Sequence, residues 1–143
     1  MRIEDIRGRW DIVSWNQVYD DGRIMYPMGE DLTGFIEYAS QSMFCVIARG
    51  ARAPFASGAQ WAASDAEKAA AYASYFSYAG DYRLDGDVVV HRVTHSLFPN
   101  WVGGEQRRQA SLTGNTLHLT ARLEAGSAQA RTARLIWQRC PER

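Results

Sequence analysis

The sequence has little cysteine, no excess of charge of either sign and no long apolar run. Each shortage excludes something. The two cysteines, Cys45 and Cys140, lie far apart, which is no disulfide framework and predicts free thiols in a reducing compartment. Sixteen basic and sixteen acidic residues give a formal net charge of zero, so no global field favours nucleic acid or an anionic membrane as partner. No stretch approaches the roughly 20 apolar residues that span a bilayer. The start, Met1-Arg2-Ile3-Glu4-Asp5-Ile6, is charged and has no apolar signal-peptide core. These features predict a cytoplasmic protein. Nucleophile elbows, phosphate loops, metal-ligand clusters and paired inward carboxylates are also missing, which argues against most hydrolases and nucleotide enzymes and predicts no cofactor.

What is present is alternation. A run opening at Gly8-Arg9-Trp10 and ending at Tyr19 places Trp10, Ile12, Ser14 and Asn16 on one face and Val13 and Trp15 on the other, the period of a strand. Further strands are expected over 32–39, 42–49, 80–84, 88–96, 105–112, 117–123 and 130–139. Tight turns separate several of them: Ser40-Gln41, Asp85-Gly86 (a type I′ signal) and Thr113-Gly114-Asn115. Across them Tyr38 should face Met43, Ile36 face Cys45, Tyr82 face Val89, and Leu112 face Leu117. Ser64-Asp65-Ala66-Glu67 fits a capping box, and Ala69, Tyr72, Ala73 and Phe76 form an apolar stripe, predicting one helix over 65–77 that Gly80 ends.

Eight strands joined in sequence order, with no repeat or linker, make a single all-β domain over 1–143: an antiparallel up-and-down barrel, closed so that no edge is exposed. The tight turns all fall at one end and the long connections at the other. One end is therefore pinched. Trp10 and Arg139 meet there, and a guanidinium stacked on the indole would plug it. The helix would lie at the open end as a lid.

Gly8-Arg9-Trp10 with the late arginine resembles the Gly-x-Trp and arginine signature of lipocalins and the calycin group. Four segments (Gly8-Arg9-Trp10-Asp11-Ile12-Val13-Ser14-Trp15, Pro54-Phe55-Ala56-Ser57-Gly58, Tyr78-Ala79-Gly80-Asp81-Tyr82 and Ser96-Leu97-Phe98-Pro99-Asn100-Trp101-Val102-Gly103) more specifically resemble the lipocalin-like domain family of small bacterial and fungal proteins. The resemblance implies an eight-stranded barrel with a ligand cavity. It implies no single activity, since some related small barrels act in natural-product biosynthesis, including as cyclases.

Strand parity points Asn16, Tyr82, His91, His95, Gln106 and Arg108 inward, with Arg108 beside Val93. Phe55, Phe76, Asn100 and Trp101 fall at the loop-rich mouth, together with Tyr26, Met28, Trp61, Tyr72 and Phe98. These are the candidate ligand-binding residues. His91 and His95 are about 13 Å apart along a strand, too far for one zinc ion. They read either as hydrogen-bonded structural imidazoles or as acid/base groups. In a catalytic reading His91 or His95 moves the proton, Tyr82 donates one, and Arg108 or Asn100 faces an oxyanion. Arg108 could instead pair with Glu30, Asp31 or Glu105. Three functions follow: binding of a small apolar or amphipathic molecule, cofactor-independent proton-transfer chemistry of the cyclase or isomerase type, or a filled barrel whose outer face mediates protein contacts. The outer faces of the first and last strands carry Val13, Trp15 and Ile136, an apolar patch that predicts a homodimer interface.

Overall fold

The computed structural model describes residues 1–141. A short helix α1 (Ile3–Ile6) precedes β1 (Gly8–Tyr19), β2 (Ile24–Met25), β3 (Leu32–Tyr38), β4 (Ser42–Arg49), α2 (Asp65–Ala73), β5 (Tyr75–Asp85), β6 (Val88–Ser96), β7 (Glu105–Thr113), β8 (Thr116–Leu123) and β9 (Arg131–Arg139). Each long strand pairs antiparallel with its sequence neighbours, and β1 pairs with β9. The result is the expected closed eight-stranded meander. The two-residue β2 is an addition, folding back on the open end of β1.

The tight connections lie at one end, as the turn residues predict. Tyr38 faces Met43, Ile36 faces Cys45, and Leu112 faces Leu117. The β5–β6 turn differs in detail. Gly86 and Asp87 form its centre and Asp85 pairs with Val88, so Tyr82 lies opposite His91 rather than Val89. Gly86 has positive φ and Asp87 does not, which excludes type I′ and fits type II′. The slip is two residues in register, so the faces are unchanged.

At the pinched end the Arg139 Cζ sits 4.0 Å from the centroid of the Trp10 ring. Helix α1, which the periodicity did not reveal, completes this plug. The Trp10 indole N–H donates to the Ile6 carbonyl at 2.9 Å, and Arg139 donates to the carbonyls of Asp5 and Arg7 at 2.6 and 2.9 Å.

Two bulges change which residues face inward. In β1, Ile12 faces Trp137 and Ser14 faces Ile136, so Val13 is the extra residue. In β6, Val93 faces Gly80 and His95 faces Ala79, so Thr94 is extra. A bulge resets the alternation of everything beyond it. Trp15 and Gln17 therefore face the lumen, while Ser14 and Asn16 face outward. The expected patch of Val13, Trp15 and Ile136 consequently loses its tryptophan.

The second bulge explains Gly80. A Cβ there would overlap the Arg92 carbonyl oxygen and crowd the backbone of Thr94. Gly80 is therefore a close-approach residue inside β5 and not a helix stop. Gly80→Ala is expected to cost about 1–3 kcal/mol through backbone displacement, read as a lower urea midpoint. An unchanged midpoint would show that the strands tolerate a Cβ at this contact.

The capping box is present: Ser64 Oγ accepts the Glu67 amide at 3.2 Å, and Glu67 Oε1 accepts the Ser64 amide at 3.4 Å. The helix, however, ends at Ala73 rather than 77. Phe76 pairs with Ile47 and Ser77 with Val46, so sheet pairing overrides the helical stripe. No residue of α2 is buried, and Tyr72 is exposed.

Candidate functional site

The barrel holds a cavity of about 180 Å³. Its apolar wall comes from Trp15 on β1, Ile36 on β3, Ile47 on β4, Phe76 on β5, Leu119 on β8, Leu135 on β9 and Trp101 in the turn Pro99–Trp101. Phe76 and Trp101 meet edge to face at 5.2 Å, with Tyr78 5.4 Å from Trp101. The polar lining is sparse: Gln17, Cys45, Tyr78, His91, Gln106, Arg108 and the Trp137 indole.

His91 lies in the middle of this arc at 1% exposure. The Tyr38 hydroxyl is 2.6 Å from its Nε2 and the Tyr78 hydroxyl 2.7 Å from its Nδ1. Burial, reinforced by the Arg108 charge, holds the imidazole pKa down at about 3, so the ring is neutral at physiological pH. A neutral imidazole has one donor and one acceptor, which gives the three-residue chain a direction. If Tyr38 donates to Nε2, then Nδ1–H donates to the Tyr78 oxygen, and the Tyr78 O–H remains for the cavity it lines. In the opposite tautomer the O–H of Tyr38, fully buried, would need an acceptor, and among the described residues it has none besides His91. The first arrangement is therefore favoured. Burial also pushes both phenols well above their ordinary pKa and the Cys45 thiol up to about 12, so all three stay protonated.

Arg108 lies beside Val89, and Gln106 lies beside His91; the expected neighbour Val93 instead bonds the Gly104 carbonyl. The Arg108 guanidinium donates to Gln106 Oε1 at 3.2 Å and to the Arg107 carbonyl at 3.1 Å. Among the described residues it forms no ion pair. Glu105, one of the partners considered for it, is taken by Arg83 at 2.7 Å and Arg107 at 3.9 Å on the outer wall. Val90, paired with Arg83 on one side and Arg107 on the other, is 0% exposed.

Several expected site residues lie elsewhere. His95 is exposed beyond the Thr94 bulge, with Nδ1 2.9 Å from Thr94 Oγ1. Asn16 leaves the lumen beyond the Val13 bulge and does not line the cavity, although its Oδ1 is buried and has no partner among the described residues. Tyr82 is buried but packs on Tyr38 at 4.8 Å, spends its hydroxyl proton on the Ala39 carbonyl, and does not line the cavity. Asn100 is exposed on its turn. Phe55 lines a separate surface cleft between residues 51–60 and α2. The cavity does gather His91, Gln106, Arg108, Phe76 and Trp101, and adds Trp15, Gln17, Cys45, Tyr78 and Trp137. Tyr78 was concealed by the helical stripe, and Trp15 and Gln17 by a bulge without a glycine. Tyr38 was legible, since it shares the parity of Ile36.

No group of three or more His, Cys, Asp or Glu side chains is arranged to hold a metal among the described residues. No helix among them is long and apolar enough to cross a membrane.

The lipocalin-like domain family model matches residues 7–140. A lipocalin-like protein from Bacteroides uniformis has a solved structure that is 14% identical, covering 95% of this chain and 99% of that one, with a TM-score of 0.51. An uncharacterized protein from Bacteroides eggerthii is 16% identical over 92% of this chain and 98% of that one, with a TM-score of 0.45. No curated protein matches the chain. With a family match over nearly its whole length and a closed antiparallel barrel beneath it, the chain belongs to the lipocalin-like domain family.

Proposed function

We propose that this barrel binds one small apolar or amphipathic molecule in its central cavity. The observation that carries this reading is the cavity itself, about 180 Å³ with aromatic and aliphatic walls and one polar arc. Ligand pockets have this character, although those for drug-sized molecules run to about 300–1,000 Å³. Apolar cavities of roughly 150 Å³ accept a single benzene ring. The occupant is therefore a single-ring or short-chain molecule.

Benzyl alcohol is expected to quench the fluorescence of the lining tryptophans Trp15, Trp101 and Trp137. At 100 times its Kd it should stabilise the fold by about 2.7 kcal/mol. Ala133 lines the cavity and is buried. Ala133→Phe should fill the space and abolish both effects. Binding that survives this substitution would place the ligand outside the lumen.

The second reading, cofactor-independent proton transfer of the cyclase or isomerase type, draws on the Tyr38–His91–Tyr78 chain. An effective base has a pKa near the working pH. An imidazole held at about 3 is far below it. The chain suits orientation of a ligand, through the Tyr78 hydroxyl, better than proton abstraction.

A further inference from the structure

We infer that the ligand carries a carboxylate, and that the polar arc is a monoanion site centred on Arg108. This rests on the cavity-binding reading and specifies the chemistry of its occupant.

The polar groups around the cavity are weighted toward donors, with the Cys45 thiol, a weak donor and weak acceptor, beside them. Gln106 has its oxygen bonded by Arg108, which leaves its NH₂ as a donor. Gln17 is in the same state, because its oxygen accepts the Arg131 Nε at 2.7 Å. The Tyr78 hydroxyl is left as a donor by the direction of the imidazole chain, since both nitrogens of His91 are already bonded. The indole N–H of Trp137, a donor by nature, is buried at 1% exposure and has no partner among the described residues. Arg108 adds further N–H donors and the one formal charge.

Two arginines on different strands thus each bond the side-chain oxygen of a glutamine, which leaves the two amide NH₂ groups as the unspent part of those side chains. No carboxylate lines the cavity to balance Arg108. A buried donor without an acceptor is costly, and Arg108, partly buried, has no counter-ion among the described residues. A carboxylate answers both: its two oxygens offer about four acceptor positions, and its charge matches a single guanidinium. A dianion would leave one negative charge unbalanced against the apolar wall. The remaining wall is apolar and leaves room for one ring or a short chain.

Three single-ring probes test this by tryptophan fluorescence and calorimetry at pH 7: benzoate, benzyl alcohol and phenyl phosphate. Benzoate is expected to bind about tenfold or more tightly than benzyl alcohol, because a charge-assisted hydrogen bond exceeds a neutral one by about that factor. It should also bind more tightly than phenyl phosphate. In Arg108→Gln the benzoate-to-alcohol ratio should fall to within about threefold of one, while Arg108→Lys, which keeps the charge, should retain part of it. The wild-type ratios stand alone if a variant does not fold. Benzyl alcohol binding as tightly as benzoate would overturn the carboxylate assignment and leave the cavity reading intact. So would a benzoate preference that survives Arg108→Gln, and phenyl phosphate as the tightest probe would overturn the monoanion. If none of the three binds, the cavity reading itself fails, and this inference with it.

Discussion

Trp10→Ala is expected to remove about 3–5 kcal/mol of stability. A typical domain has only about 5–15 kcal/mol in total. Trp10 is 0% exposed and closes the pinched end. Its loss would leave an indole-sized void under the Arg139 guanidinium, which now sits 4.0 Å from the ring centroid. It would also strand the Ile6 carbonyl, which accepts the indole N–H, and loosen the hold of Arg139 on the carbonyls of Asp5 and Arg7. Helix α1 is too short to persist by itself, so it should detach. Trp10→Phe keeps a ring for the guanidinium and should cost less than half as much. Urea denaturation of the two variants separates the contributions. A Trp10→Ala penalty below about 1 kcal/mol would mean that the end of the barrel is sealed by something other than this stack.

The second large effect concerns acid. Stability is expected to fall as pH drops below 6.5, with a slope approaching 1.4 kcal/mol per pH unit. His91 has a folded pKa of about 3 against an ordinary value of 6.5. Between those limits the unfolded chain binds a proton that the folded chain refuses, so protons favour unfolding. The His91 contribution is complete above pH 6.5 and is lost progressively as pH falls toward 3. The window from pH 6.5 to 5 is the cleanest, because ordinary carboxylates remain ionised there. His91→Gln, which can still bond a tyrosine at either side, should flatten the slope in this window even if it lowers stability throughout. An identical slope in wild type and variant would assign the acid sensitivity to other groups.

Local features were legible where local chemistry decides them. The turns at 40–41 and 114–115 fixed the register of two hairpins, and Ile36 and Cys45, or Leu112 and Leu117, met as their spacing required. The Asp85-Gly86 signal located a hairpin but not its centre, because Gly86 took the first central position with Asp87 as its neighbour. The capping box marked the start of α2 to the residue. Its end was hidden because Phe76 and Tyr78 serve a strand as well as they would serve a helix, and only the presence of β4 alongside chooses between them.

The sequence by itself determined eight strands in a meander, one end of tight turns and one of long loops, and the meeting of Trp10 with Arg139. Period-two alternation and turn residues act over a few positions, so these follow from the chain alone. The tertiary structure decided which side chains share the lumen. Bulges at Val13 and Thr94, both β-branched and unmarked by glycine, turned Trp15 and Gln17 inward and Asn16 and His95 outward. An extra residue in a strand is defined by the strand beside it, so no pattern within β1 or β6 announces it. The chemistry of His91 was decided at the same level. Its tyrosine partners lie 53 and 13 residues away, and its low basicity comes from burial that exists only once the barrel has closed.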